Sequence, residues 1–163
     1  MKIGIMSDSH DNIWNLKKAL EVLKALRVEA VLHCGDFSAP FILKDLDTLG
    51  IAVHGVFGNV DSDRFEMARL AFTQLKHITL HGDTAELVLG GMKVAMHHFP
   101  MLALALAKTG DYDIVVYGHT HVVDHREINK CILINPGEIM GRKGKATFAV
   151  LDSSDRTIQI HTV

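Results

Sequence analysis

Apolar positions along the first half of the chain follow two periods in turn. Ile3-Gly4-Ile5-Met6 is a short continuous run that reads as a buried strand. From Ile13 to Leu26, Ile13, Leu16, Leu20 and Leu23, with Ala19 or Leu26, fall at helical spacing while Lys17, Lys18, Glu21 and Lys24 turn outward. Asp11 and Asn12 stand where an N-cap is wanted. The same alternation predicts a strand over Ala30 to Cys34, a helix from Pro40 to Leu49, a strand from Ile51 to Phe57 and a helix from Asp63 to Leu75.

After that the grammar changes to hairpins. Glu86 to Leu89 and Met92 to Met96 flank Gly90-Gly91, Val123 to Ile128 and Cys131 to Ile134 flank Asn129-Lys130, and Ala146 to Leu151 and Thr157 to Thr162 flank a polar turn. A short helix over Pro100 to Lys108 and a strand over Asp113 to Tyr117 lie between the first two hairpins. Parallel βα units followed by antiparallel strands predict an α/β fold, a four-layer α/β/β/α sandwich of two mixed sheets flanked by helices. A chain of 163 residues can bury roughly 70% of its unfolded surface, so one domain over 1–163 is expected.

Composition narrows the function classes. A net charge of −2 argues against a nucleic-acid-binding module that relies on a basic field. Met1 to Met6 reaches Ser7-Asp8 too soon for a signal-peptide core, and no apolar run approaches membrane-spanning length. Cys34 and Cys131 make no disulfide framework, so free thiols and a cytoplasmic location are expected, with no membrane partner.

The chemistry sits at the ends of the apolar runs. Asp8-Ser9-His10, Gly35-Asp36, Gly58-Asn59-Val60-Asp61, His97-His98, Gly118-His119-Thr120-His121 and Asn135-Pro136-Gly137 each follow a strand-like segment. Ligand sites in open α/β sheets lie beyond the carboxyl ends of strands. Taken singly these segments are weak, since an Asp-x-His pair is commonly a cap and an Asn after a strand commonly a turn residue. Gly118-His119-Thr120-His121 is the strongest element, because its spacing sets two imidazoles on one side of a turn and glycine relieves the crowding. Gly35 likewise lets the backbone turn sharply and bring in the Asp36 carboxylate. Together the segments offer oxygen and nitrogen donors suited to a pair of divalent ions about 3.5–4 Å apart. His97 is read as a ligand, whereas the adjacent His98 would face the other way on a continuing strand and is read as a rim residue or one that supports the ligands from behind, and as a candidate proton donor or substrate contact.

From Met1 to about Arg142 the set resembles the calcineurin-like metallophosphoesterases, specifically their small bacterial and archaeal phosphodiesterase branch. The resemblance implies that Asp8, His10, Asp36 and His121 hold a first metal and that Asp36, Asn59, His97 and His119 hold a second, with Asp36 bridging. It further implies two divalent ions, manganese first with nickel, cobalt, iron or zinc as alternatives, and a bridging hydroxide, held by Asp36 with Asn59, that attacks a small phosphoester substrate. Related enzymes are often dimers or tetramers, so a homo-oligomer is expected. The histidines at 33, 54, 77, 81, 125 and 161 match nothing in the pattern.

Two departures stand out. Many phosphatases of the superfamily carry histidine, which protonates the leaving oxygen, where this chain has Val60; the phosphodiesterase branch also lacks it. Asp61, which would pair with such a histidine, is read as an exposed turn acid in preference to an orienting residue. The Asn-Pro-Gly turn is normally followed by serine, and Glu138 stands here, which weakens the expectation of phosphate contacts from this loop. Arg142, with Lys143 and Lys145, is read as a solvated basic stretch with phosphate contact as the sharper alternative. The rival functions are a phosphomonoesterase or nucleotidase at the same site, which Val60 disfavours, and a non-catalytic scaffold module of the same fold, which would have lost ligand residues.

Overall fold

The computed structural model describes residues 1–163. Strand β1 (Lys2–Met6) leads into helix α1 (Ile13–Ala25), whose apolar stripe Leu16, Ala19, Leu20 and Leu23 is buried. The Asn12 side chain caps α1 by accepting a hydrogen bond from the Asn15 backbone N–H at 3.1 Å. Strand β2 (Ala30–His33), helix α2 (Phe41–Asp47), strand β3 (Ala52–Gly55) and helix α3 (Arg64–Thr73) follow. Asp63 caps α3 in the same way through the Glu66 N–H. A strand absent from the sequence reading, β4 (Ile78–Leu80), then pairs in parallel with β3. At three residues it is too short to carry a readable alternation.

The hairpin half comprises β5 (Thr84–Leu89), β6 (Met92–His97), helix α4 (Pro100–Thr109), β7 (Ile114–Val116), β8 (Val123–Ile128), β9 (Cys131–Pro136), β10 (Thr147–Asp152) and β11 (Thr157–Thr162). Asn129 and Lys130 both have positive φ, +50° and +70°, as a two-residue turn matched to strand twist requires.

Two sheets result, ordered β11-β10-β1-β2-β3-β4 and β5-β6-β7-β9-β8. In the first, β1 to β4 are parallel and β10 and β11 extend it antiparallel; in the second, β6, β7 and β9 are parallel between antiparallel edge strands. Three apolar clusters set the layers. Leu16, Leu23, Ile42, Leu46, Met67 and Phe148 join α1, α2 and α3 to the first sheet. Ile3, Ile5, Leu32, Val94, Met96, Ile114 and Ile134 fill the space between the sheets. Ala95, Ala103, Ala107, Val115 and Leu133 join the second sheet to α4. The four-layer expectation is met. No helix is long and apolar enough to cross a membrane.

The inter-sheet layer carries much of the stability. Ile5 is fully buried there, so Ile5→Ala is expected to cost about 2–5 kcal/mol, whereas Phe72→Ala, on a side chain 92% exposed, stays within about 0.5 kcal/mol; urea denaturation of both checks the contrast. A second expectation concerns His33, wholly buried at the end of β2, stacked on Phe37 and bonded through Nε2 to Ser9 Oγ at 3.1 Å. Burial pushes its pKa down to about 3. Only the unfolded chain then takes up a proton at this position below about pH 6.5, so folding stability falls as pH drops through that value, by about 2 kcal/mol from this group at pH 5. Denaturation between pH 5 and 7 is expected to show a shallower slope, by about one proton, in His33→Asn.

Candidate metal centre

The loops that leave β1, β2, β3, β6 and β7 at one rim of the sandwich bring most of the predicted donors together. Asp8, His10, Asp36 and His121 each offer a ligand atom within 4.8 Å of the others. His10 Nε2 lies 3.3 Å from His121 Nε2, 3.7 Å from Asp8 Oδ1 and 3.4 Å from Asp36 Oδ2, and His121 Nε2 lies 3.3 Å from Asp8 Oδ1. A second group abuts it. Asn59 Oδ1 is 2.8 Å from His119 Nδ1 and 3.0 Å from His98 Nε2, and His98 Nε2 is 3.4 Å from Asp36 Oδ2.

His97 is not among them, which corrects the reading of the two adjacent histidines. Strand alternation decides it. Met92, Val94 and Met96 face the other sheet and Ala95 faces α4, so the next even position, His98, continues inward toward Asp36 while His97 continues outward. His97 Nδ1 accepts a hydrogen bond from the Phe99 N–H at 2.9 Å, and its ring lines an apolar hollow with Thr84, Leu102 and Leu106. Nor is His98 a rim residue: it is fully buried.

The backbone at this rim is unusual. Asp8, His10, Asp36, His119 and His121 all lie in the left-handed region, with φ of +54°, +40°, +58°, +70° and +65°. Each such non-glycine residue is costly, and such residues cluster at functional sites. Cross-loop hydrogen bonds hold them: Asp8 N–H to Gly35 O, His10 N–H to Asp36 O, and Met140 N–H to Asp8 O. Gly35 has a φ of +93°, in line with the sharp turn expected there. A Cβ on Gly118 would strike Ser7 Oγ and Asp8 Oδ2, so glycine is needed for the close approach of this loop to β1.

Outer partners orient the rings. His98 Nδ1 faces the Cys34 carbonyl at 2.8 Å, and His121 Nδ1 faces Glu138 Oε2 at 2.6 Å. A carbonyl and a carboxylate only accept, so both Nδ1 atoms carry a proton and both Nε2 atoms face inward. Asp8 Oδ2 accepts the His119 N–H at 3.0 Å, which leaves Asp8 Oδ1 buried and without a donor. Acceptors thus confront one another in a buried space, an arrangement that favours a cation. The first group therefore suits a divalent metal, and the second offers a similar mix of oxygen and nitrogen donors.

Electrostatics follow the same layout. Burial alone would raise the Asp36 pKa, but the hydrogen bond from His98 and the Val60 N–H bring it below the usual carboxylate value. Burial opposes charge on His98, yet Asp36 and the Cys34 carbonyl leave its pKa raised; His10 is raised chiefly by the neighbouring Asp8 carboxylate. Asp61 is not an exposed turn acid. It is buried, and it accepts the backbone N–H groups of Asp36, Ser38 and Gly58 at 3.0, 2.8 and 2.7 Å, clamping the β2 and β3 loops together. Burial raises its pKa. Glu138, read from sequence only as a missing serine, is also fully buried. Its place beside the apolar positions Ile134 and Ile139 was the available signal, since a buried acid requires partners. Asn135 donates to Gly118 O and Thr120 Oγ1, bracing the histidine turn, while Arg142 is exposed on the following basic turn.

Residues 1–156 match the calcineurin-like phosphoesterase superfamily domain. A phosphodiesterase of Methanocaldococcus jannaschii is 35% identical over 160 residues, which span 96% of this chain and 95% of that protein. The solved structure of an archaeal phosphodiesterase superposes with a TM-score of 0.91 at 32% identity, each chain covered over 100% of its length. That of the phosphoesterase YfcE from E. coli, with a TM-score of 0.69 at 20% identity and 100% coverage of both chains, is alike in fold. The chain belongs to the calcineurin-like phosphoesterase superfamily, in its small archaeal and bacterial phosphodiesterase branch.

Proposed function

We propose that the chain hydrolyses small phosphodiesters at a centre holding two divalent metal ions. One observation carries this reading: Asp36 Oδ2 stands 3.4 Å from His10 Nε2 on one side and 3.4 Å from His98 Nε2 on the other, so a single carboxylate serves two donor groups. Asp8, His10, Asp36 and His121 would hold one ion and Asp36, Asn59, His98 and His119 the other. Manganese is expected first, and nickel, cobalt, iron and zinc suit the same donors. When bound, such a pair supplies positive charge for the phosphoryl oxygens and acidifies a water molecule near neutral pH.

The chain's own residues hold this centre rather than move protons to the leaving group. Val60, 42% exposed beside Asn59, has no proton to give. His98 gives its Nδ1–H to the Cys34 carbonyl and turns Nε2 toward Asp36 and Asn59, so we read it as a ligand candidate in preference to the proton donor considered from sequence. The leaving oxygen then takes its proton from solvent, which favours esters with good leaving groups. The Phe99 ring, 5.0 Å from that of His119, gives the site an apolar border. That border suits the second ester group of a diester better than the extra charge of a monoester, in keeping with the relative named a phosphodiesterase.

Metal-stripped protein is expected to lose hydrolysis of bis-p-nitrophenyl phosphate and to regain it with manganese, nickel or cobalt. Asp36→Ala, His98→Ala and His119→Ala should each lower kcat/KM by about 10²-fold or more, while His97→Ala remains near the parent rate. Retention of full rate by the first three would overturn the site. Faster hydrolysis of p-nitrophenyl phosphate than of the diester would assign a phosphomonoesterase instead.

A further inference from the structure

Glu138 occupies a position that the metal-ligand pattern does not use, yet it is among the most completely satisfied side chains in the protein. It is fully buried at the end of the Asn-Pro-Gly turn. Oε2 lies 2.6 Å from His121 Nδ1, while Oε1 accepts the backbone N–H groups of Lys143 and Gly144 at 2.5 and 3.0 Å. Both oxygens are thereby fixed, and one carboxylate spans His121 and the exposed basic turn that carries Arg142 and Lys143. The turn leans on the same loop, Lys143 Nζ donating to Thr120 O at 3.5 Å.

We infer that Glu138 is the positioning residue of the first metal half-site, holding His121 as the Nδ1–H tautomer with its Nε2 lone pair aimed at Asp8, His10 and Asp36. This rests on the metal-centre reading above and adds to it a residue outside the ligand set. A carboxylate in this place does what serine is too short to do: it fixes the ring's tautomer and orientation and makes the inward nitrogen a better donor. By tying the ring to the basic turn it also couples the half-site to the order of the segment bearing Arg142.

Glu138→Gln gives a sharp test because it is nearly isosteric. The amide oxygen is claimed by the Lys143 and Gly144 N–H groups, so the amide NH2 faces His121 Nδ1. That nitrogen must then accept, which sends the ring proton to Nε2, the atom needed for the metal. Two measurements on the full chain read the effect. In metal-free protein at pH 8.5, nitrogen-detected NMR of the histidine rings should show His121 as the Nδ1–H tautomer in the parent and in Glu138→Asp, and as the Nε2–H tautomer in Glu138→Gln. In calorimetric titrations with manganese chloride, Glu138→Gln should weaken one of two binding events by about 10–100-fold and leave the other near its parent value. An unchanged tautomer, or equal manganese affinity at both sites in parent and Glu138→Gln, overturns the inference. Absence of manganese binding by the parent overturns the two-metal reading instead, and the tautomer measurement still decides the role of Glu138.

Discussion

A buried carboxylate set among inward-facing imidazole nitrogens is the constraint around which this molecule is arranged. Asp36 Oδ2 faces His10 Nε2 and His98 Nε2 at once, each at 3.4 Å, longer than a charge-assisted hydrogen bond normally runs. The acceptors are nonetheless held within a few ångströms of one another by backbone in left-handed conformations and by hydrogen bonds between loops. Such a cost persists only where the surroundings over-determine it. Here they do: Asp61 ties three loop amides to one carboxylate, Asn135 ties the histidine turn to β9, and Gly118 allows β7's loop to press against β1.

The layered fold was legible because its signals are local. The α1 stripe, the Asn12 cap, and the change from βα units to hairpins can each be read within a dozen residues, and each has a direct structural counterpart. Strand β4 escaped because its pairing with β3 is a tertiary fact with almost no sequence signature. Among the candidate donors, Asp8, Asp36, Asn59 and His119 stand one or two residues past a glycine or a strand end, where the spacing itself limits where the side chain can go.

The His97 and His98 pair shows where such reading stops. The alternation of Met92, Val94 and Met96 against Ala95 contained the answer, but only once it is known which face of β6 meets the other sheet. Asp61 and Glu138 were harder, because an acid near a turn is ordinarily solvated. What distinguishes these two is that distant groups converge on them, the Asp36 and Ser38 amides on Asp61 and the His121 ring on Glu138, and that convergence exists only in three dimensions.

The donors do not come from one sheet. Asp8, Asp36 and Asn59 leave the ends of β1, β2 and β3, whereas His98, His119 and His121 leave β6 and β7, and the bond from His98 to the Cys34 carbonyl already crosses the seam. Cations seated there would act as rivets between two independently woven surfaces. With such cations bound, occupancy and mechanical cohesion of the sandwich at this rim would be one equilibrium: starving the protein of metal would loosen its seam, and prying the surfaces apart would release the ions.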